Sequence, residues 1–212
     1  MKRCVIVCAG DLAPGILAEY TPEDFYIAAD GGYRYLKEAD RIPELFIGDM
    51  DSLDPSLRSD VATLGEDRCH ILPVQKDDTD CLAAIRVALQ CGMTEIHILG
   101  GTGGTRSDHT MANYQCLYFI RKMGGRGVLR DLTRDIYVLE NESMMIHGEY
   151  RKGMSLFSFG DRIGNVTLQG FRYPLTKGVL ENCFPLGVSN DIVEETCRID
   201  VQDGCALVFL ER

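Results

Sequence analysis

The order of apolar runs and polar loops most limits how this chain can fold, and that order changes near residue 132. Before this point, short and continuous apolar runs alternate with polar loops and helix-like stretches. Continuous apolar runs are typical of strands buried on both faces, and their alternation with helices predicts a parallel sheet covered by helices. We therefore predict a parallel α/β sheet domain over residues 1–132.

The individual elements of this first domain can be placed from the same pattern. Strands are expected over residues 4–9, 25–29, 45–48, 69–74 and 95–99. Helices are expected over residues 33–39, 55–64, 81–90 and 108–123. Proline near a helix start and glycine after a helix end support these bounds.

After residue 132 the chain changes to short β-like runs without a convincing helix between them. These runs lie at residues 136–139, 144–146, 154–159, 166–168, 192–201 and 205–210. Glycine, asparagine and aspartate separate them, and we predict tight hairpin turns at Asn141-Glu142 and at Asp203-Gly204. Residues 133–212 are accordingly predicted to form a C-terminal antiparallel β-sandwich.

Composition excludes several classes of function. The chain has 22 Lys and Arg against 32 Asp and Glu, a net charge of −10, so an extended nucleic-acid surface is not expected. No apolar stretch approaches the ~20 residues of a membrane helix, and we expect no membrane association. Nine cysteines are present without a C-x-x-C pair and are interpreted as core thiols of a reducing compartment, which predicts a cytoplasmic protein.

Aspartates follow several of the predicted parallel strands. Asp30 follows the second strand, and Asp49 and Asp51 follow the third. The fourth strand leads through a short turn to Asp77 and Asp80. In an extended backbone, residues i and i+2 point the same way, so the carboxylates of Asp49 and Asp51 are expected to reach one point. The carboxyl ends of parallel strands share one edge of the sheet, where these aspartates are expected to meet.

We interpret this edge of the sheet as a magnesium and phosphate crevice. Several like charges repel one another unless a cation lies between them. Ligands that are all oxygen suit Mg²⁺ better than Zn²⁺. The glycine-rich loop at residues 100–104 precedes a helix and offers backbone N–H groups to phosphates, and Arg106 adds a charged donor.

Each of these features also has an ordinary structural explanation. Aspartate followed by glycine or serine is typical of turns, and Asp78 and Thr79 are typical helix N-caps. The loop at residues 100–104 lacks the Gly-Lys-Ser/Thr of a Walker loop, and Arg106 can simply pair with Asp108 at the surface. Convergence at one sheet edge favours the functional interpretation, because unrelated turns have no reason to share it.

Six motifs, in order along the chain, resemble the signature set of the thiamine pyrophosphokinase family. They are ADGG at residues 29–32, GDMDS at 48–52, KDDTD at 76–80, GGTRSDH at 103–109, GFRYPL at 170–175 and GVSN at 187–190. The resemblance spans nearly the whole chain. The glycine-rich loop is one residue longer than the usual form of the family, with Thr105 as the extra residue.

The resemblance implies an Mg²⁺-dependent transfer of the pyrophosphoryl group of ATP to the hydroxyl of thiamine, giving thiamine diphosphate and AMP. It also implies a homodimer, with ATP and Mg²⁺ bound by the first domain and with thiamine binding and dimerisation assigned to the sandwich. The implied catalytic and metal-binding residues are Asp49, Asp51, Asp77 and Asp80. The implied nucleotide-binding residues are Asp30, Gly31, Gly103, Gly104, Arg106 and Asp108. The implied thiamine-binding residues are Tyr173, Ser189 and Asn190.

Three other functions fit part of the sequence. A related pyrophosphokinase acting on a pterin alcohol would keep the same chemistry with another acceptor. A haloacid-dehalogenase-like phosphatase would use Asp49 as nucleophile, although such enzymes normally begin their α/β domain with the strand that carries this residue. A non-catalytic nucleotide-binding module would bind ATP without turnover.

Overall fold

The described residues divide into two compact units. The computed structural model of the chain describes residues 3–51, 53–73, 78–150 and 152–212. The first unit is Met1–Leu132 and the second is Thr133–Arg212.

The first unit consists of strands and helices that alternate along the chain. Its strands are β1 (Arg3–Val7), β2 (Phe25–Ala29), β3 (Leu45–Gly48), β4 (Cys69–Ile71), β5 (Glu95–Leu99) and β6 (Arg126–Arg130). Its α-helices are α1 (Tyr33–Glu38), α2 (Pro55–Ala62), α3 (Asp80–Gln90) and α4 (Ser107–Lys122). The predicted elements are found within a few residues of their expected bounds, whereas β6 had no individual prediction.

The strands of the first unit form a parallel sheet in the order β6-β5-β1-β2-β3-β4. The central strands are buried as their apolar sequences require, and Val5 and Ile6 of β1 are completely buried. Two helix starts have side-chain caps: Thr79, which was expected, accepts a hydrogen bond from the Leu82 amide (3.2 Å), and Asp54, which was not predicted, accepts one from the Ser56 amide (2.8 Å).

A histidine is buried in the middle of β5. Tyr20 Oη lies 3.0 Å from His97 Nδ1, and His97 Nε2 lies 3.2 Å from Glu95 Oε1. A neutral imidazole satisfies both partners, accepting at Nδ1 and donating from Nε2. Burial, reinforced by the charges of Arg130 and Arg3, lowers the pKa of His97 from 6.5 to about 4.

This lowered pKa predicts an acid-sensitive contribution to stability. Since the folded pKa lies below the unfolded one, the contribution is complete above pH 6.5 and is lost as the pH falls towards 4. We expect the unfolding free energies of the parent and His97→Gln to converge over this range by up to about 3 kcal/mol. Urea titrations at several pH values measure the difference, and parallel pH profiles would contradict the prediction.

The second unit is built from strands alone in its described residues. They are β7 (Arg134–Glu140), β8 (Ser143–His147), β9 (Gly153–Ser158), β10 (Arg162–Gln169), β11 (Leu175–Glu181), β12 (Asn190–Asp191), β13 (Thr196–Asp200) and β14 (Cys205–Glu211). One sheet has the order β12-β9-β14-β7 and the other β11-β10-β13-β8, and their described pairings are antiparallel. Buried residues from both sheets, such as Leu156, Val208, Val166 and Ile199, form one core.

The predicted fold class is confirmed: an N-terminal parallel α/β unit is followed by an antiparallel β-sandwich. Two details of the sandwich were predicted wrongly. The stretch 192–201 is not one continuous strand, because only Thr196–Asp200 (β13) is a strand and residues 192–195 lie between it and β12. Strand β11, whose first five residues are exposed or half-buried, was missed because it lacks a clear apolar pattern.

The predicted hairpin turns are also wrong. β7 and β8, which flank Asn141, lie in different sheets, as do β13 and β14, which flank Gly204. The two turns instead lie side by side, with Gly204 N–H donating to Asn141 Oδ1 (2.9 Å) and Asn141 N–H donating to the Gly204 carbonyl (3.2 Å). Both residues have positive φ, 51° and 118°, as is typical of turn residues. The turns were therefore located correctly, but each connects strands of different sheets.

None of the helices in the described ranges combines the length and the apolar character needed to traverse a bilayer.

Candidate active site

The carboxyl ends of four neighbouring strands bring the predicted polar residues to one edge of the parallel sheet. In the order β5-β1-β2-β3, these ends carry the glycine-rich loop, Gly10 and Asp11, Asp30, and the pair Asp49 and Asp51. Beyond β1 the backbone continues alongside the loop, since the Gly10 amide donates to the Gly100 carbonyl at 2.8 Å. Sequence-distant groups thus become neighbours at the place where parallel sheets bind ligands.

Three carboxylates form a cluster at this edge. One oxygen from each of Asp30, Asp49 and Asp51 lies within 4.8 Å of the other two. Asp30 is only 3% exposed, whereas Asp51 is exposed. A cluster that combines a buried carboxylate with two accessible ones fits a hard divalent cation such as Mg²⁺, which takes oxygen ligands and keeps several waters.

Asp49 and Asp51 meet in a way that the sequence interpretation did not foresee. Met50 between them has φ = 64°, so the backbone turns here and is not extended. Asp49 Oδ1 accepts a hydrogen bond from the Asp51 amide at 3.1 Å, which makes an aspartate turn. The two carboxylates converge as expected, and the turn and the carboxylate cluster are both present.

A glycine allows Asp30 to lie against β3. A Cβ atom at Gly48 would lie 3.0 Å from Asp30 Oδ1 and only 2.7 Å from Asp30 Cβ, which is closer than real side-chain contacts. Asp30 itself has φ = 45°, in the left-handed region that aspartate tolerates better than most residues. The cluster therefore depends on close backbone packing between the ends of β2 and β3.

A cleft of about 400 Å³ opens beside the cluster, within the first unit. Among the predicted site residues, Asp30, Asp80, Gly103, Gly104 and Arg106 line it. Asp80 is the first residue of α3, directly after the cap Thr79. Asp77, which was also predicted to bind the metal, lies outside the described residues.

The glycine-rich loop packs against an aspartate that sequence reasoning missed. Gly103 and Gly104 have φ of 77° and 69°. A Cβ atom on Gly103 would lie 2.1 Å from Asp11 Oδ2, and the Gly104 amide donates to the same oxygen at 3.3 Å. Asp11 follows β1 as Asp30 follows β2, so the rule that located Asp30 was sufficient to locate Asp11.

Arg106 and Asp108 form an exposed ion pair at the start of α4. Arg106 Nη2 donates to Asp108 Oδ2 at 2.7 Å. This hydrogen bond lowers the pKa of Asp108 and raises the pKa of Arg106. Arg106 lines the cleft. Its surface pairing with Asp108, which was the alternative to a role in binding, is also present. Nucleotide binding by these two residues stays a prediction.

Arg34 is a second residue that the sequence interpretation omitted. It lies in the first turn of α1, and its side chain lines the same cleft as Asp30. Its Nη2 atom donates to the Ala9 carbonyl at 3.1 Å. No motif marks this arginine, because its position depends on where α1 begins and on the side-chain conformation.

The residues predicted to bind thiamine lie together in the second unit. Asn190 is buried, and its side chain accepts from the Tyr173 amide (2.9 Å) and donates to the Tyr173 carbonyl (2.8 Å). The neighbouring Ser189 has φ = 56°, and its amide donates to Ser155 Oγ at 3.1 Å. Asn190 therefore holds the backbone of Tyr173, whose side chain is exposed. Thiamine binding by the three residues stays a prediction.

An α/β unit with a carboxylate cluster and a glycine-rich loop at one sheet edge is typical of enzymes that transfer phosphoryl groups, which defines the chain as a kinase-type transferase. Two family descriptions match it: "Thiamin pyrophosphokinase, catalytic domain" over residues 18–126, and "Thiamin pyrophosphokinase, vitamin B1 binding domain" over residues 137–206. The chain belongs to the thiamin pyrophosphokinase family.

Individual relatives agree with this assignment. The thiamine pyrophosphokinase of Bacillus subtilis (strain 168) is 30% identical, over 99% of this chain and 98% of the relative. A crystal structure of thiamine pyrophosphokinase from Bacillus subtilis superposes with a TM-score of 0.87 at 27% identity, covering 99% of both chains. A thiamin pyrophosphokinase family protein from Enterococcus faecalis gives 0.85 at 27% identity, covering 100% of this chain and 99% of the other.

Proposed function

We propose that this enzyme transfers the pyrophosphoryl group of ATP to the hydroxyl of thiamine in a reaction that requires Mg²⁺. The hydroxyl oxygen forms a bond to the β-phosphorus. The bond from the β-phosphorus to the oxygen shared with the α-phosphorus breaks, AMP leaves with that oxygen, and the hydroxyl proton is released. The observation that carries the proposal is the cluster of Asp30, Asp49 and Asp51 beside the glycine-rich loop, in a chain of this family.

The carboxylates are assigned to the metal. Asp30, Asp49 and Asp51 would hold Mg²⁺, with Asp77 and Asp80 contributing from the segment that leads into α3. Bound Mg²⁺ supplies charge neutralisation on the phosphates. The protein residues hold the phosphates in line with the acceptor, because this transfer needs positioning and electrostatics more than covalent help.

The remaining predicted residues are assigned to the two substrates. The nucleotide-binding set is Gly31, Gly103, Gly104, Arg106 and Asp108. Tyr173, Ser189 and Asn190 would contact thiamine, with Asn190 fixing the backbone that presents the Tyr173 ring. We further propose that the enzyme acts in the cytoplasm as a homodimer. The nine cysteines, all of them free, support a reducing compartment.

A direct assay tests the proposal. With ATP, thiamine and Mg²⁺ we expect AMP and thiamine diphosphate to form in equal amounts, as measured by chromatography. Chelation with EDTA is expected to abolish turnover, and added Mg²⁺ to restore it, because the carboxylate cluster cannot neutralise phosphates by itself.

The same assay separates the alternatives. AMP formed only with hydroxymethylpterin would assign the acceptor to the pterin class. ATP binding that is equally tight in EDTA, without turnover, would indicate a non-catalytic module. The haloacid-dehalogenase-like phosphatase is not supported, because the chain belongs to another family and two strands precede the one that carries Asp49.

A further inference from the structure

Arg34 lies where two cavities of the first unit meet. It lines the cleft that contains Asp30 and the glycine-rich loop. It also lines a neighbouring cavity of about 450 Å³, whose other lining residues include Asp51 and Ser56. Asp30 and Asp51 belong to one carboxylate cluster, so Arg34 shares a cavity with each of two members of the proposed metal site.

The guanidinium of Arg34 is fixed in position. Nη2 donates to the Ala9 carbonyl at 3.1 Å and to Tyr35 Oη at 2.7 Å, and Arg34 Cζ lies 4.4 Å from the centre of the Tyr35 ring. Tyr35 Oη in turn donates to the Gly10 carbonyl at 2.7 Å. The backbone that follows β1 and the Tyr35 side chain thus orient the planar group before any ligand arrives, which reduces the entropy lost on binding.

The donors on the other guanidinium nitrogens can serve a ligand. The hydrogen bonds that described residues receive from Arg34 come from Nη2, so Nε and Nη1 keep their N–H groups for an anion. The other arginine lining the cleft, Arg106, is already paired with Asp108 at 2.7 Å. Among the described residues lining the cleft, Arg34 is therefore the arginine best able to receive a phosphate.

We propose that Arg34 binds phosphate oxygens of the pyrophosphoryl group that is transferred, and holds this group where the two cavities meet. A guanidinium matches two phosphate oxygens with two parallel hydrogen bonds, and it balances charge that the carboxylates would otherwise repel. The inference rests on the proposed function for the identity of the ligand. Its structural alternative is that Arg34 only braces the Ala9 carbonyl and the Tyr35 ring.

Binding of ATP and of AMP, measured by calorimetry with Mg²⁺, separates these roles. We expect Arg34→Gln to weaken ATP binding by about 10- to 100-fold, the range for a hydrogen bond to a charged group, while AMP binding changes less than about twofold. Arg34→Lys, which keeps the charge but loses the fork, should fall between Arg34→Gln and the parent. Tyr35→Phe, which removes a partner of Nη2, should weaken ATP binding more than AMP binding.

Arg41 provides a matched control. Its Nη2 donates to the Tyr20 carbonyl at 3.2 Å, and its Cζ lies 5.9 Å from the centre of the Tyr26 ring, so it has the same kinds of contact as Arg34 away from the cleft. Arg41→Gln is expected to leave ATP binding unchanged. Equal losses for ATP and AMP in a folded Arg34→Gln variant, or no loss for ATP, would overturn the proposal.

Measuring turnover separates a failure of the proposed role of Arg34 from a failure of the proposed function. If the parent protein fails to form AMP with thiamine, the proposed function fails, whereas the ratio of ATP to AMP affinity still reports on Arg34. If the parent turns over, Arg34→Gln is expected to lower kcat as well as raise the KM for ATP. Unchanged kcat and KM in that variant would overturn the assignment of Arg34 to the transferred group.

Discussion

Asp51→Asn is expected to reduce kcat by about 10²- to 10³-fold, the size of effect found when one preorganised electrostatic group is removed from an active site. The melting temperature of the metal-free protein is expected to stay the same or rise, because one of three neighbouring carboxylates loses its charge. Steady-state kinetics and thermal unfolding in EDTA measure the two quantities separately.

The local turn makes this substitution informative. The turn bond runs from the Asp51 amide to the Asp49 side chain, so Asp51→Asn leaves its donor and acceptor in place. A lower melting temperature with unchanged kcat would show that Asp51 only stabilises the loop. Asp60→Asn is the charge-matched control: Asp60 pairs with Lys37 at the surface, and we expect unchanged kcat and at most about 1 kcal/mol lost from the unfolding free energy.

Gly48→Ala is expected to impair both folding and turnover. The added methyl group would lie 2.7 Å from Asp30 Cβ and 2.9 Å from Asp30 Cα, so either β3 or Asp30 must move. Such overpacking costs about 1–3 kcal/mol of unfolding free energy. Displacing a carboxylate of the cluster by about 1 Å is expected to lower kcat by about 10²-fold. Urea unfolding and kinetics at saturating ATP test these values.

Gly160→Ala separates this local clash from the general effect of replacing glycine. No atom lies within 4 Å of the position that its Cβ would take, and its φ is not in the left-handed region. We expect this variant to change the unfolding free energy by no more than about 0.5 kcal/mol and to keep full activity. If Gly48→Ala behaves like this control, Asp30 does not need the close approach to β3.

The sequence predicted the parallel sheet because a buried strand needs a continuous apolar run, and β1, β2 and β3 have such runs. It also predicted that Asp30, Asp49 and Asp51 would meet, since topology alone brings strand ends to one edge. The assumed backbone between the two later aspartates was wrong. A methionine with positive φ, as at Met50, has no signature in the sequence, because this conformation is uncommon for that residue.

The sandwich was predicted less completely for a related reason. Asn141 and Gly204 are typical turn residues, but local turn chemistry does not specify whether the next strand pairs with the previous one or crosses to the other sheet. The choice depends on which residues reach the shared core, which is a long-range property. Arg34 escaped prediction similarly, since the position of its guanidinium depends on the Ala9 carbonyl and on Tyr35, which donates to the Gly10 carbonyl, more than twenty residues earlier in the chain.

The hydrogen bond between Asp11 and Gly104 has a consequence for selectivity among anions. The Gly104 amide already donates to a carboxylate at 3.3 Å, so a phosphate that bound this amide would displace a charged acceptor of the protein. Such an exchange is nearly neutral in free energy, because one charge-assisted hydrogen bond replaces another. A lone inorganic anion would therefore gain little at this loop, and tight binding would require a ligand that also contacts an arginine of the cleft, Arg34 or Arg106.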